Sequence, residues 1–285
     1  MRQPTGDQSV RTSGYDFPEL CAAVNAAGYD LEYLPETTTT MQDARAFGLR
    51  RTVVLADHQS QGRGRYGRSW LDVPGQSVLM TLVEPWGEAG DPPPDSLLPQ
   101  QLFVLAGCVA LQELTGSTEL QVRWPNDLTA HGKKLGGILI ENLNRHGRVP
   151  YPMLFGIGIN VHGDADRAFP ETDYGAISLD QATGSNSLTR QEIVAAIVRK
   201  WSLMRVDLGL MQNSGIFEHY SRLWQQNASL QDQIVSISGL GRTRDRTVEG
   251  RAFDFPLGQG VVLETSEGIE EVREFHTESV VKVME

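Results

Sequence analysis

The chain has 285 residues, 40% of them hydrophobic, which is enough for one large domain and a small one. Its 36 acidic residues outnumber 25 Lys and Arg, and the formal net charge of −11 disfavours non-specific binding to nucleic acid or to an anionic membrane surface. Only two cysteines occur, Cys21 and Cys108, without metal-site spacing, so a reducing compartment and a cytoplasmic protein are expected.

Helices and strands alternate in the first part of the chain. Residues 1–16 are polar and predict a disordered leader without the apolar segment of a secretory signal. A helical pattern follows from Pro18 to Gly28, and a second one comes after a threonine run and ends near Gly48. Apolar residues 53–56 and 77–83 predict two buried strands, so the segment between them is a loop joining strands.

Prolines and apolar runs organise the middle of the chain. Residues 85–99, with three consecutive prolines, predict a surface excursion. Residues 99–114 predict a buried helix whose apolar core is about half the ~20 residues needed to span a bilayer, so no membrane partner is expected. A short strand is predicted at 120–122, and residues 135–140 and 153–161 predict neighbouring antiparallel strands.

The predicted secondary structure changes from helices to short strands near residue 230. Before it, the capping box Thr189 with Glu192 opens a helix, and residues 216–224 form another amphipathic pattern. After it, short strands are predicted at 234–237, 247–253, 260–263 and 271–275. We therefore expect a catalytic domain at 17–229 and a small all-β module at 230–285.

The segment 59–70, QSQGRGRYGRSW, is named here the arginine loop. Three arginines stand among glycines: Arg63, Arg65 and Arg68. Its G-x-G-x-x-G spacing imitates a dinucleotide fingerprint, but that motif must open a helix, and Pro74 with Gly75 would soon break one. Solvated surface charges or a nucleic-acid contact are the other interpretations. A small anionic ligand is favoured, because guanidinium groups bind phosphate and carboxylate oxygens bidentately.

A second motif lies about sixty residues later, in RWPNDLTAHGKKLGGILIE at 123–141, and a third is GIGINV at 156–161. The three strings resemble those of the biotin protein ligases, whose signatures read GRGRxGRxW, KWPNDx with KLxGIL, and GxGxNV. The resemblance is strong from about 38 to 161, and the C-terminal module is similar to the small β-barrel of that family. It implies an α+β fold with a class II synthetase-like, mostly antiparallel sheet flanked by helices.

The resemblance also implies an activity and its partners. Such a ligase joins biotin to ATP as biotinyl-5'-AMP, with Mg, and transfers biotin to one lysine of a biotin carboxyl carrier protein of acetyl-CoA carboxylase or a related carboxylase. About 35 residues precede the threonines, too few for the helix-turn-helix domain of some relatives, so no DNA binding is expected. A homodimer is left open, since no residue pattern decides it.

The resemblance also implies a role for individual residues of this chain, at the positions that match the motifs of the family. The catalytic residues implied are Lys134, Arg63 and Asp127, with Asp127 also the expected metal ligand. Biotin contacts are implied for Thr39, Thr40, Met41, Gln59, Arg63, Gly64, Arg65, Lys134, Gly136 and Gly137. ATP contacts are implied for Arg65, Arg68, Trp70, Trp124, Asn126, Lys134 and Asn160.

Two positions depart from the pattern of the family. Arg123 occupies a position where many members have lysine, so a planar guanidinium with several donors replaces a compact ammonium group. Gly136 occupies a position where alanine is frequent. Two alternatives remain: a lipoate or octanoate ligase or transferase of the same superfamily, although its RRxSGGGxVxH-like signature is absent from the sequence, and a non-catalytic nucleic-acid-binding module that uses the arginine loop.

Overall fold

Two β-sheets organise the residues that the structure describes. The computed structural model describes residues 14–88, 90–93, 96–144, 149–170, 174–211, 214–240, 245–273 and 280–284. Their α-helices are α1 (Phe17–Ala26), α2 (Thr40–Ala44), α3 (Leu98–Thr115), α4 (Ala165–Ala168), α5 (Leu179–Thr183), α6 (Arg190–Leu208) and α7 (Ser214–Gln226).

The strands divide between a large sheet and a small one. The large sheet contains β1 (Asp30–Leu34), β2 (Thr52–Ala56), β3 (Ser77–Trp86), β4 (Leu120–Arg123), β5 (Asp127–Ala130), β6 (Lys133–Asn142) and β7 (Tyr151–Asn160). The small sheet contains β8 (Ile234–Leu240), β9 (Arg246–Asp254), β10 (Val261–Thr265), β11 (Gly268–Val272) and β12 (Val280–Val283).

The large sheet has the order β1-β2-β3-β7-β6-β5-β4, and only β1 and β2 pair in parallel. The small sheet has the order β11-β10-β9-β8-β12 and is antiparallel throughout. The expected mixed α+β fold, with a mostly antiparallel sheet flanked by helices and a second small sheet, is confirmed. Among the described residues, every helix is too short or too polar to cross a bilayer.

The large sheet buries both of its faces because strand side chains alternate sides. On β2, Val53 and Leu55 join the main core with the helices α3 and α6, whereas Val54 points to the opposite face. There Val54 packs with Met41 and Ala44 of α2 in a smaller cluster. The α2 face is therefore only partly covered, and it is the face on which the functional site lies.

Local sequence signals begin and end the helices as expected. The Asp16 side chain accepts a hydrogen bond from the backbone N–H of Glu19 at the start of α1, and Pro18 occupies the first turn. The predicted capping box of Thr189 and Glu192 is present at the start of α6. The buried helix α3 ends at Gly116, which adopts the left-handed conformation with φ 69°.

Several boundaries differ from the prediction. β3 continues through Pro85 to the buried Trp86, so the surface excursion starts later than expected. Pro85 fits because the pairing of β3 with β2 has already ended at Val83, so no ladder hydrogen bond to β2 is lost. The last predicted strand, 271–275, is observed at Gly268–Val272, and residues 274 and 275 lie outside the described residues.

Five further short elements were not predicted, because the sequence shows no pattern for them: β1, β5, β12, α4 and α5. Of the predicted leader, residues 1–13 lie outside the described residues, but Tyr15 is buried with its ring stacked 4.5 Å from the guanidinium carbon of Arg190. The described end of that segment thus packs on the fold. The domain boundary near residue 230 remains a prediction.

Candidate active site

A cavity of about 770 Å³ opens on the α2 face of the large sheet, beneath the arginine loop. Its floor is formed by strands β3, β6 and β7, and α2 closes one side. Residues 123–127 and 134 line the opposite side, where the second sequence motif lies. All three sequence motifs therefore meet around one space, although they are separated by up to about a hundred residues in the chain.

The arginine loop is folded as a hairpin over this cavity. The backbone N–H of Trp70 donates to Gly62 O at 2.9 Å and that of Gly64 donates to Arg68 O at 2.8 Å. A single 3-10 turn, Arg65–Gly67, forms its tip, so the loop does not open an α-helix. The dinucleotide-fingerprint interpretation is therefore wrong, because that motif requires a helix N-terminus.

One arginine ties the loop to the second motif. Arg65 Nη1 donates to Asn126 Oδ1 at 3.0 Å, and Asn126 Nδ2 donates to Ile138 O at 2.7 Å. The loop tip, the second motif and strand β6 are thus linked through one amide. Arg63 and Arg68 line the cavity, and the side chains of both are exposed.

Two glycines of the third motif, Gly156 and Gly158, leave room for side chains to pack on strand β7 at the floor of the cavity. A Cβ at Gly158 would lie 2.6 Å from Cε2 of Trp70, and a Cβ at Gly156 would lie 2.8 Å from Sδ of Met41. Only glycine allows the indole and the thioether to lie this close to β7. The result is an apolar floor on which a flat or ring-shaped ligand can pack.

Two buried polar atoms face this floor without a hydrogen-bond partner among the described residues, Trp70 Nε1 and Asn160 Oδ1. Asn160 is only 5% exposed, and its Nδ2 makes a long bond of 3.4 Å to Ile177 O. A buried polar atom without a partner costs free energy, so both atoms are sites where a ligand can supply the missing bond.

A cluster of hydroxyl and amide groups forms the end of the cavity beside α2. Gln59 Oε1 accepts hydrogen bonds from the backbone N–H of Thr40, at 2.8 Å, and from its hydroxyl, at 3.1 Å. Thr40 Oγ1 also lies 2.8 Å from Thr81 Oγ1. Because the Gln59 carbonyl is engaged, its amide N–H₂ donors are left to face a ligand.

A buried carboxylate, that of Asp72, fixes the backbone position of Gln59. Asp72, whose side chain has no exposed surface, accepts a hydrogen bond from the Gln59 backbone N–H at 3.2 Å. The second oxygen of Asp72 lies 2.8 Å from His58 Nδ1. Asp72 therefore joins the two ends of the arginine loop.

Lys134 and Asp127 form an ion pair at the cavity wall, with Nζ and Oδ1 2.9 Å apart. A two-residue turn, His131 and Gly132, both with positive φ, joins β5 to β6 and brings the two residues together. A bulge follows: Thr129 pairs with Lys134, but Leu128 pairs with Gly136. The extra residue changes which side chains share a face of β6.

The consequence appears at Gly137. A Cβ there would lie 3.1 Å from Asp127 Oδ1 and 3.6 Å from Lys134 Nζ, so Lys134 and Gly137 share one side of the strand although they are three positions apart. In a regular strand they would point to opposite faces. The bulge therefore aims the lysine into the cavity, and the glycine leaves space for the ion pair.

A residue that the sequence did not single out completes this wall. Tyr174 donates its hydroxyl to Asp127 Oδ2 at 2.7 Å. Its ring lies against the guanidinium of Arg123, with Cζ 4.2 Å from the ring centroid, and Arg123 Nη2 donates to Val281 O of β12 at 3.0 Å. The small sheet thus reaches the edge of the cavity.

The cavity is cationic within an acidic chain. The cationic residues that line it are Arg63, Arg65, Arg68, Arg123 and Lys134. Among the described lining residues the only acid is Asp127, which is already paired with Lys134. A cleft of one charge sign concentrates ligands of the opposite sign, so this arrangement favours an anionic ligand.

The lining includes all the predicted site residues except one: Thr39, Thr40, Met41, Gln59, Arg63, Gly64, Arg65, Arg68, Trp70, Trp124, Asn126, Asp127, Lys134, Gly137 and Asn160. The exception is Gly136. A Cβ there would meet Gly158 O at 2.6 Å, so Gly136 packs strand β6 against β7 and does not face the ligand space.

Other lining residues were missed by the sequence. Thr81 carried a signal, because it is a polar residue inside a run of apolar strand residues. Tyr174, Phe169 and Val281 belong to no recognised motif, and they reach the cavity only through the fold.

Comparison with known proteins places this site in a family. A model of the biotin/lipoate A/B protein ligase family matches residues 33–160, which include the first two motifs and all of the third except Val161. Residues 33–160 belong to this family. The domain therefore carries the loop, the WPND motif and the glycine-rich strand in their family context.

Relatives and solved structures extend the likeness beyond this domain. The chain is 32% identical over 230 residues to the bifunctional ligase/repressor BirA of Bacillus spizizenii, covering 78% of this chain and 64% of the relative. It is 27% identical over 221 residues to biotin–[acetyl-CoA-carboxylase] ligase of Mycobacterium tuberculosis, covering 70% and 73%. The chain thus spans just under two thirds of the length of the Bacillus relative.

The fold is also that of a solved ligase. The biotin protein ligase of Aquifex aeolicus, in a complex with biotin and ATP, superposes with a TM-score of 0.71 at 23% identity, covering 89% of this chain and 99% of that one. At this identity the likeness speaks for the fold alone.

Proposed function

We propose that this chain is an ATP-dependent biotin ligase that forms biotinyl-5'-AMP and transfers biotin to a lysine of a biotin carboxyl carrier protein. The observation that carries the proposal is the meeting of the arginine loop, the Thr40–Gln59 cluster and the Lys134–Asp127 pair around one cavity. The names of the relatives support the same activity.

The α2 end of the cavity suits the ring system of biotin. A ureido group needs both donors and acceptors, which the hydroxyls of Thr40 and Thr81 and the free amide donors of Gln59 can supply. A thioether ring needs an apolar surface, which Met41 supplies above Gly156. The position of these groups at one end leaves the valerate carboxylate to extend toward the cations.

The opposite end suits a nucleotide. Trp70 offers an aromatic face, and the unsatisfied oxygen of Asn160 can accept a hydrogen bond from an amino group. The guanidinium groups of the loop and the ammonium of Lys134 provide the positive charge that a triphosphate requires. One cavity can therefore hold both substrates with their reacting groups near the lysine.

The proposed chemistry has two steps. In the first, a carboxylate oxygen of biotin attacks the α-phosphorus of ATP, the bond to the β-phosphate breaks and pyrophosphate leaves. In the second, the amine of the carrier lysine attacks the acyl carbon, AMP leaves with the mixed-anhydride oxygen, and one proton is released. Lys134 stabilises the negative charge that gathers on the phosphoryl oxygens in the first step. The arginine loop excludes water from the anhydride between the steps.

The residues fit a magnesium ion held together with the nucleotide. Mg²⁺ is commonly bound by one or two carboxylates, water and substrate phosphates, and a carboxylate has about four lone-pair sites. Asp127 uses two of these for Lys134 and Tyr174, so it keeps capacity for a metal at the cavity wall. When bound, the ion would neutralise phosphate charge.

The carrier and the location complete the proposal. The proposed partner is a carboxyl carrier domain, and the name of the Mycobacterium relative, which specifies acetyl-CoA carboxylase, supports a carboxylase as its source. Cys21 and Cys108 are both unpaired, which supports a reducing cytoplasmic location.

One assay tests the function directly. The purified chain is incubated with ATP, Mg²⁺, biotin and a carboxyl carrier domain, and the carrier is weighed by mass spectrometry. We expect a mass gain of one biotinyl group that requires both ATP and biotin. A gain with lipoate or octanoate but not with biotin would assign the chain to the other branch of the family, and salt-dependent nucleic-acid binding without pyrophosphate release would support a binding module instead.

A further inference from the structure

We infer that Tyr174 is a positioning residue for the adenylation step, which acts by fixing Asp127 and thereby the cationic end of Lys134. The inference rests on the proposed ligase function. It concerns a residue outside the three sequence motifs, beyond residue 161 where the third of them ends.

The first observation is the hydrogen-bond pattern of Asp127. Its two oxygens have different partners: Oδ1 meets Lys134 Nζ at 2.9 Å, and Oδ2 accepts from the Tyr174 hydroxyl at 2.7 Å. With only the lysine as partner, the carboxylate could rotate about its side-chain bonds. The tyrosine hydroxyl defines one rotamer, and the lysine ammonium is held in a matching place.

The second observation is that the backbone beside Tyr174 is fixed to the backbone of Lys134. The Lys134 N–H donates to Gly175 O at 2.9 Å, and the Ile177 N–H donates to Lys134 O at 2.9 Å. Lys134 and Ala176 form a parallel bridge. The segment 174–177 therefore makes three hydrogen bonds to the catalytic pair, two with the main chain of the lysine and one with the side chain of the aspartate.

The third observation is that the tyrosine ring is itself held. The Arg123 guanidinium lies 4.2 Å from the ring centroid, and the carbonyl of Val281 accepts a hydrogen bond from Arg123 at 3.0 Å. A cation stacked on an aromatic ring restricts the motion of the ring, and the interaction contributes more free energy than an ordinary van der Waals contact. The hydroxyl thus points at Asp127 from a ring with a defined position, which is what a positioning residue requires.

The test compares Tyr174→Phe with Tyr220→Phe. The first variant keeps the ring and removes only the hydroxyl. The second is a matched control, because Tyr220 also donates to an aspartate, Asp207, at 2.6 Å, but it lies on α7 and does not line the cavity. Biotin-dependent pyrophosphate release is measured against ATP and biotin concentration, together with the melting temperature of each variant.

For Tyr174→Phe we expect kcat to fall about tenfold or more, in line with the loss of a hydrogen bond to a charged group. The KM for biotin should stay unchanged, because the Thr40 and Gln59 cluster is untouched. The Tyr220→Phe control should keep the wild-type kcat. A wild-type kcat in Tyr174→Phe overturns the inference, as does a fall in kcat that is matched by an equal rise in the biotin KM.

A double-mutant cycle asks whether the tyrosine acts through the aspartate. In an Asp127→Ala background, Tyr174→Phe should not lower the single-turnover rate of adenylation any further. Additive losses would show that the hydroxyl acts elsewhere and would overturn the inference. An inactive wild-type chain would overturn the proposed function and the inference together, whereas an active wild type with an unaffected Tyr174→Phe overturns the inference alone.

Discussion

The indole of Trp70 packs so closely on Gly158 that a Cβ at 158 would lie 2.6 Å from Cε2 of the ring. This contact joins the end of the arginine loop to the floor of the cavity. The loop position and the glycine of the third motif therefore depend on each other, and a change at either one must move the other.

Gly158→Ala should displace Trp70 and with it the arginine loop. We expect adenylate formation to slow by about tenfold or more, since small misplacements in an active site have large effects on rate. Overpacking should also lower the free energy of unfolding by about 1–3 kcal/mol. Pyrophosphate release and urea unfolding measure the two effects.

Gly209→Ala is the matched control for this substitution. Gly209 has helical dihedral angles at the end of α6, and the nearest atom to its Cβ would be Val206 O at 3.6 Å. Alanine should therefore be tolerated there, with the wild-type rate and equal or slightly higher stability. An equal loss of rate in the two variants would contradict the role of the Trp70 contact.

Lys134→Ala should nearly abolish biotin-dependent pyrophosphate release. Removing a preorganised charge from a developing negative centre commonly costs about 100-fold or more in rate. Lys133→Ala is the control, because the adjacent Lys133 pairs with Asp166 at 2.6 Å on the surface and does not line the cavity. Near-normal release in Lys134→Ala would remove its proposed catalytic role.

Arg63→Ala should weaken biotin binding and let the adenylate escape before transfer. The Arg63 side chain is exposed at the cavity, as expected for a group that closes over a ligand. Without a carrier, the variant should release biotinyl-5'-AMP into solution faster than the wild-type chain, as measured by chromatography. Arg222→Ala, on the exposed part of α7, serves as control. The same leakage rate in wild type and Arg63→Ala would argue against shielding by the loop.

Glu84 predicts a pH dependence of stability that is separate from catalysis. Burial raises the pKa of this carboxyl from 4.5 to about 8, and the nearby Arg205 opposes the shift only in part. Between these values the folded protein holds a proton on Glu84 that the unfolded chain has lost, so the contribution of Glu84 to stability is largest below about pH 4.5 and is lost as pH rises to about 8. Trp201 Nε1 donates to Glu84 at 3.0 Å.

Glu84→Gln removes the titrating group and keeps an oxygen for Trp201. Wild-type stability should fall by up to about 1.4 kcal/mol per pH unit across this window, and the variant should show a much weaker slope. Urea unfolding at pH 5, 6, 7 and 8 measures both slopes. Parallel curves for the two proteins would assign the pH dependence to other groups.

Much of the fold was predictable because its signals are local. The capping box at Thr189 fixed the start of α6, and apolar runs located β2, β6 and β7. The short strands β1, β5 and β12 were missed because polar residues interrupt their apolar pattern, whereas β2, with five residues, is a fully buried run that includes four consecutive apolar residues. They are stabilised by pairing with neighbouring strands of their sheets: β1 with β2, β5 with β4 and β6, and β12 with β8.

The sequence by itself determined which residue types line the cavity: the loop arginines, Asp127, Lys134 and the glycines of the third motif, since these depend on local composition and on spacing within motifs. Only the tertiary structure decided how they are aimed. The bulge beside Leu128 turns Lys134 into the cavity, and the segment at Tyr174 holds Asp127. Strand register and contacts between remote segments are set by packing of the whole sheet, so no local pattern encodes them.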